Sequence, residues 1–353
     1  MKHMQEVNID KITEFNALIS GAEHTVIITH THPDGDAMGS SLGMLHFLKE
    51  SGTKADIVLN DKFPDTLHFL AGETFQDSII IAEQDCDKAQ VKIKDADLVI
   101  CLDFNAFSRT DSLENALAES SAKKILIDHH LNPQRELFSL SFSETGISST
   151  CELLYYILKA SCKESGKAIS IETATALMTG MTTDTNNFSN SVFPTTLAMA
   201  SELLEMGVDR DSILANLYNN FRENRIRLQG YLLDKKLTIT EDGLAYMILD
   251  GKTAAKFDIR EGETEGFVNL PLAIDKVRMS IFAKEDKNRI GISIRSKKGT
   301  SANIMAKEYF YGGGHELASG GKIPFDDGKI PTEDEIASYI ESASHKFFNS
   351  EKR

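Results

Sequence analysis

Apolar residues in the first half of the chain fall into short unbroken runs at 25–29 (TVIIT), 55–59, 78–81, 98–102 (LVICL) and 124–127 (KILI). Several are β-branched and do not alternate with polar residues, as in parallel strands buried on both faces. Segments with helical spacing, such as 37–49 and 150–160, lie between and after them. This βα alternation predicts an α/β domain over residues 1–190, a doubly wound parallel sheet. A ligand of such a sheet sits beyond the carboxyl ends of the strands.

From residue 191 the pattern changes. Residues 195–206 predict one helix. Residues 211–233 predict a longer one, with Ile213, Leu217, Phe221, Leu228 and Leu232 near i+4 spacing, and 191–234 is expected to be a helical connector. Strand-like segments follow at 237–240, 245–249, 277–282 and 290–294. A helix at 302–310, three glycines at 312–314 and a helix at 333–347 complete a smaller α+β domain over 235–348.

Four polar motifs stand where this arrangement puts strand and helix ends. His30-Thr-His-Pro-Asp34-Gly-Asp36 follows TVIIT, and Pro33 and Gly35 force a turn that lets His30, Asp34 and Asp36 converge. An ordinary turn with Asp36 capping the next helix is the simpler alternative. Asp103 directly follows LVICL. Asp128-His129-His130 follows KILI, where three ionisable groups are costly unless paired or metal-bound. Asp184 follows a helical run at 173–181. Together these are five carboxylates and three imidazoles, a donor set for two cations about 4 Å apart with one shared carboxylate. In the second domain, Gly312, Gly313 and Gly314 before His315 suggest a backbone cradle for phosphate. Arg295 and Ser296 end a strand where a guanidinium could hold phosphate by two bonds. Arg109 is a weaker candidate of the same sort.

Charge and composition narrow the setting. The net charge is −15, and residues 1–190 carry 15 Lys and Arg against 28 Asp and Glu, whereas residues 235–345 carry 16 against 18. The acidic front half disfavours a module that tracks long duplexes, which needs a basic stripe. No apolar run of about 18 residues or signal-like N-terminus is present, so no membrane association is expected. The four cysteines form no CxxC pair, and a cytoplasmic protein with reduced thiols is expected.

Taken in order, Asp128-His129-His130, the HxxxDxD pattern of His30, Asp34 and Asp36, then Asp103, Asp184 and Gly312–His315 resemble the DHH phosphoesterase superfamily with a DHHA1 domain. Length and domain content are most similar to its nanoRNase branch, the bifunctional oligoribonucleases and PAP phosphatases. The resemblance implies two Mn²⁺ ions, with Mg²⁺ as the substitute. His30 and Asp34 would hold one and Asp36, His129 and Asp184 the other, with Asp103 bridging. Asp128 would orient the neighbouring histidine ligand, and His130 would face the substrate phosphate. Arg295, Ser296 and the Gly312–His315 loop would hold the nucleotide, and the second domain would close over it.

The implied reaction is hydrolysis of short single-stranded RNA to mononucleotides, and of 3′-phosphoadenosine 5′-phosphate to AMP, by metal-activated water. A homodimer is implied as well. Linear or cyclic dinucleotides are the alternative substrates. A nucleotide-binding regulator with a degenerate site is a further alternative, although no ligand of the pattern is missing. His32 has no role in it.

Overall fold

The unbroken apolar runs pair as expected. In this computed structural model, which describes residues 8–72, 76–260, 262–286, 289–324 and 330–350, the chain divides into two units, Met1–Asn220 and Phe221–Arg353. The first contains strands β1 (Thr25–Ile28), β2 (Ala55–Leu59), β3 (Ile79–Ile81), β4 (Leu98–Leu102), β5 (Lys123–Asp128) and β6 (Leu140–Ser143). All pair in parallel, in the order β3-β2-β1-β4-β5-β6. Helices α1 (Ile9–Ser20), α2 (Gly35–Glu50), α3 (His68–Ala71), α4 (Cys86–Asp95), α5 (Glu114–Glu119), α6 (Thr150–Ser165), α7 (Ile171–Asp184), α8 (Pro194–Glu205) and α9 (Arg210–Tyr218) belong to the same unit.

Successive residues of the inner strands enter opposite cores, because side chains alternate across a sheet. Ile27, Ile57, Ile100 and Ile125 join Phe15 of α1, Leu42 of α2, Leu154 of α6 and Leu177 of α7. Val26, Ile28, Val58, Val99 and Leu126 join Ile93 of α4 and Leu117 of α5. Two-sided burial is why the inner strands carry unbroken apolar runs. The strand order reverses between β1 and β4, and such a reversal opens a crevice at the carboxyl ends of the two strands.

Two helices meet at this crevice unusually closely. A methyl group on Gly39 of α2 would lie 2.7 Å from the Ala176 carbonyl oxygen of α7. One on Gly35 would lie 2.2 Å from Thr183 Oγ1, and one on Gly180 would lie 2.2 Å from Cys151 Sγ and 2.9 Å from the Gly35 carbonyl oxygen. Backbone therefore packs on backbone, which brings the start of α2 beside the end of α7.

The second unit holds β7 (Thr238–Ile239), β8 (Leu244–Leu249), β9 (Met279–Asp286), β10 (Arg289–Ser296), β11 (Gly313–Gly314) and β12 (Ala318–Pro324) in one mixed sheet, order β11-β12-β10-β9-β8-β7. Only β8 and β9 run parallel among these pairs. Helices α10 (Glu223–Tyr231), α11 (Gly251–Lys256), α12 (Ala302–Tyr309) and α13 (Glu333–Ser350) accompany it. The single helix expected over 211–233 is instead two, α9 and α10, one in each unit. Its i+4 apolar spacing spans a break at Asn219-Asn220, residues that favour turns over helix interiors. No helix among the described residues is long and apolar enough to cross a membrane.

Candidate metal centre

The register of the parallel sheet sets the site. Ile28 pairs with Cys101 and Leu102 with Ile127. Continuing those registers puts His30, Asp103 and Asp128 at one level, each at the end of a buried strand. Asp103 adopts a left-handed backbone (φ 64°) that non-glycine residues rarely accept, although Asp tolerates it better than most. Its amide still bonds to the Ile127 carbonyl at 3.1 Å, so the chain turns sharply at the strand end with the carboxylate held over the crevice.

The two oxygens of Asp103 divide between two groups of donors. Oδ2 lies 3.5 Å from His30 Nε2, which is 3.9 Å from Asp34 Oδ1. Oδ1 lies 3.6 Å from His129 Nε2, which is 3.8 Å from Asp36 Oδ2 and 3.6 Å from Asp184 Oδ2. Candidate ligand atoms of His30, Asp34 and Asp103 lie within 4.8 Å of one another, as do those of Asp36, His129 and Asp184. All six residues expected to hold cations thus come together in the first unit.

Local structure explains how each is aimed. Asp34 caps α2, accepting from the Asp36 and Ala37 amides at 3.0 and 3.1 Å. The cap is therefore Asp34 and not Asp36, whose side chain is left to turn into the crevice. There its two oxygens accept from the Thr150 and Cys151 amides at 2.7 and 2.9 Å. His30 Nδ1 is 2.7 Å from the Thr31 carbonyl. That contact fixes Nδ1 as the N–H and leaves Nε2 as an acceptor facing Asp103.

Asp128 differs from expectation. Its Oδ1 lies 2.7 Å from Nδ1 of His130, two residues further on, just past the end of β5. Its Oδ2 is buried and has no hydrogen-bond partner among the described residues. Burial acts to lower His130, but the hydrogen bond and charge of Asp128 outweigh it and hold this imidazole above its usual range. His30 and His129 go the other way: burial holds both below the usual value, favouring the neutral form that ligates metal.

Two of the carboxylates, Asp36 and Asp103, shift upward, whereas, despite burial, Asp34 and Asp128 are held below the usual range by His30 and His130. Burial and the neighbouring charge of Asp184 push Asp36 up to about 6. Burial, with Asp36, Asp34, Asp184 and Asp128 around it, pushes Asp103 well above the usual range. Two central carboxylates so reluctant to ionise, beside the neutral imidazoles of His30 and His129, fit divalent cations, whose charge offsets both the burial and the repulsion.

A folded-state value of about 6 against the ordinary 3.8 means that Asp36 contributes stability below pH 3.8 that is lost as pH rises through about 6. A cation reverses this by binding the ionised form. The gap in thermal midpoint between Mn²⁺-loaded and chelator-treated protein should widen as pH rises through about 6. Calorimetry in parallel buffers checks this; a constant gap contradicts it.

The remaining predicted residues are placed less uniformly. Arg109 is exposed, its carbonyl accepts from the Thr31 amide at 2.9 Å, and its charge acts on both His30 and His130. His32 has a left-handed backbone (φ 52°), and its amide donates to Asp61 Oδ2 at 2.8 Å. Its ring is about half exposed, at 54%. Asp61 is the turn anchor that sequence reading missed.

In the second unit, the Ser296 hydroxyl donates to the Thr300 carbonyl at 2.7 Å, and Arg295 Nη1 donates to the Ile294 carbonyl at 3.0 Å. The glycines expected to cradle phosphate sit at the sheet edge. Gly313 and Gly314 are an edge strand paired with Gly320 and Ser319. The Gly312 and His315 amides bond to the Ala306 and Ala318 carbonyls at 3.1 and 2.7 Å. Close approach is what demands glycine there: a methyl group on Gly312 would lie 1.9 Å from the Gly320 carbonyl oxygen.

Comparison with known proteins agrees with this arrangement. Residues 24–181 match the DHH family, N-terminal domain, and residues 242–343 match the DHHA1 domain. The bifunctional oligoribonuclease and PAP phosphatase NrnA of Bacillus subtilis is 27% identical, over 88% of this chain and 93% of its own. The protein of Streptococcus mutans named "Probable bifunctional oligoribonuclease and PAP phosphatase NrnA" is 31% identical with the same coverage. An exopolyphosphatase-related protein of Bacteroides fragilis superposes with a TM-score of 0.89 at 36% identity, over 99% of this chain and all of its own. The cyclic-di-AMP phosphodiesterase PdeA of Listeria monocytogenes is 27% identical over 84% of this chain, which spans only 44% of that longer protein.

Proposed function

This chain belongs to the DHH family, with a DHHA1 domain after its DHH domain, and on that premise we propose a Mn²⁺-dependent phosphoesterase that degrades short single-stranded RNA to mononucleotides and converts 3′-phosphoadenosine 5′-phosphate to AMP. The observation that carries the reading is the division of the Asp103 carboxylate between two donor groups, Oδ2 toward His30 and Oδ1 toward His129. Imidazole and carboxylate in this proportion suit Mn²⁺, with Mg²⁺ as a weaker substitute. The NrnA relatives, which this chain matches over nearly their whole length, support the substrates.

His30 and Asp34 would hold one cation and Asp36, His129 and Asp184 the other, with Asp103 shared. When bound, such a pair supplies Lewis acidity toward the phosphoryl group and acidifies water for in-line attack. The chain supplies the rest. The hydrogen bond and charge of Asp128 strengthen the hold of His130 on its proton, so that His130 offers an N–H to charge growing on the phosphoryl oxygens. Buried His30 and His129 stay neutral and do not compete for that proton. Arg295, Ser296 and His315 are assigned to the nucleotide, and Arg109 to its phosphate. The proposal extends to a homodimer, by family resemblance, and to the cytoplasm, supported by four free cysteines among the described residues.

The likeness to PdeA favours a second reading, hydrolysis of linear or cyclic dinucleotides at the same centre. Initial rates on short RNAs of graded length, 3′-phosphoadenosine 5′-phosphate, and linear and cyclic dinucleotides separate the two. The proposal expects kcat/KM for short RNA and the bisphosphate to exceed that for cyclic dinucleotides by at least about tenfold, some 1.4 kcal/mol of discrimination. The reverse order would transfer the assignment to the second reading.

A further inference from the structure

The start of α6 touches two of the candidate ligands at once. Thr150 donates its amide to Asp36 Oδ2 at 2.7 Å and its hydroxyl to Asp103 Oδ1 at 2.9 Å. Both acceptors are carboxylate oxygens that face His129. The Cys151 amide holds the other Asp36 oxygen at 2.9 Å. Thr150 is fully buried, so no water competes for these bonds.

The turn ahead of it is itself secured. Ser149 caps α6 by accepting from the Glu152 amide at 3.0 Å. The buried Glu152 carboxylate accepts from the Ser148 amide at 3.1 Å, from the Ser148 hydroxyl, and from Thr196 Oγ1 of α8 at 2.7 Å. Thr150 is thus a fixed point behind the crevice.

We propose that Thr150 is a positioning residue for the metal pair, its hydroxyl fixing the rotation of the Asp103 carboxylate so that one oxygen serves each donor group. This rests on the two-cation reading above. The physical reasoning is directional. Without the hydroxyl, the Asp103 side chain can rotate both oxygens toward the His30 group, leaving Asp36, His129 and Asp184 without their shared ligand. Bonds to ligand carboxylates from the surrounding shell typically set metal affinity by 10- to 100-fold.

The test is calorimetric titration of chelator-stripped full-length protein with Mn²⁺ for the wild type, Thr150→Val and Thr150→Ser. Valine keeps the shape and both backbone bonds and removes only the hydroxyl; serine restores it. Wild type should take up two ions. Thr150→Val should lose roughly 10- to 100-fold in affinity for one of them, and Thr150→Ser should regain most of it. Wild-type affinity for both ions in Thr150→Val overturns the proposal, even if the stripped variant melts lower, since that is the mark of a merely structural hydroxyl. Should Thr150→Val not fold, Thr150→Ala carries the same comparison. Failure of the wild type to bind two ions would instead remove the reading on which the proposal stands.

Discussion

Asp103→Asn should abolish turnover while making the chelator-treated protein more stable at neutral pH. The substitution keeps size and one carbonyl oxygen but replaces the other oxygen with an amide nitrogen, which donates and cannot ligate a cation. Either the His30 side or the His129 side then loses its shared donor, since each is served by a different oxygen. A cation at such a centre contributes several kcal/mol to the transition state, so its loss corresponds to a fall in kcat of roughly 10³-fold or more. The stability change has the opposite sign because ionising Asp103 is opposed by burial and by four neighbouring carboxylates. A neutral amide removes that repulsion. Turnover within tenfold of wild type would contradict the shared-ligand reading, as would lower stability of the chelated variant at neutral pH.

Gly180→Ala should be among the most damaging single methyl groups in the first unit. Its Cβ would lie 2.2 Å from Cys151 Sγ, 2.9 Å from the Gly35 carbonyl oxygen and 3.1 Å from Asp36 Cα. Two of these three are backbone atoms, so no rotamer change relieves the contact, and α2 must move away from α7. Overpacking of this kind costs about 1–3 kcal/mol. The displacement also falls where Asp36 lies in the first turn of α2 and Asp184 ends α7, so Mn²⁺ affinity should drop together with stability. Gly230→Ala is the control: nothing lies within 4 Å of its Cβ, and in helix α10 the change should be neutral or stabilising by up to about 1 kcal/mol. Chemical denaturation with metal titration compares the two. Equal stability of the two variants would show that the helix contact tolerates a side chain.

The features of the sequence that revealed the site are those in which chemistry interrupts hydrophobicity. His30, Asp103 and Asp128 each follow an apolar run, and a polar residue there has nowhere to go but the carboxyl edge of the sheet. Asp184 was less legible alone, because a carboxylate at a helix end has many ordinary uses. What remained hidden depends on partners distant in sequence. The small residues of α2 are visible, but that Gly39 and Gly35 meet Gly180 is a tertiary fact. Thr150 looks like any residue at a helix start until Asp36 and Asp103 arrive beside it. Strand β6 is only four residues, LSFS, with alternating burial at the sheet edge, so it lacks the apolar run that marks the others. In the second unit, Gly312, Gly313 and Gly314 suggest a backbone cradle for phosphate; Gly313 and Gly314 form an edge strand, and Gly312 is pressed against Gly320 and Gly321, a tertiary contact that the sequence does not show.

Anomalous diffraction from crystals soaked in Mn²⁺ addresses the shared carboxylate most directly. The arrangement predicts two peaks roughly 4 Å apart, one beside His30 and Asp34 and one beside Asp36, His129 and Asp184, with Asp103 between them contacting both. A single peak, or two that Asp103 does not join, would contradict it.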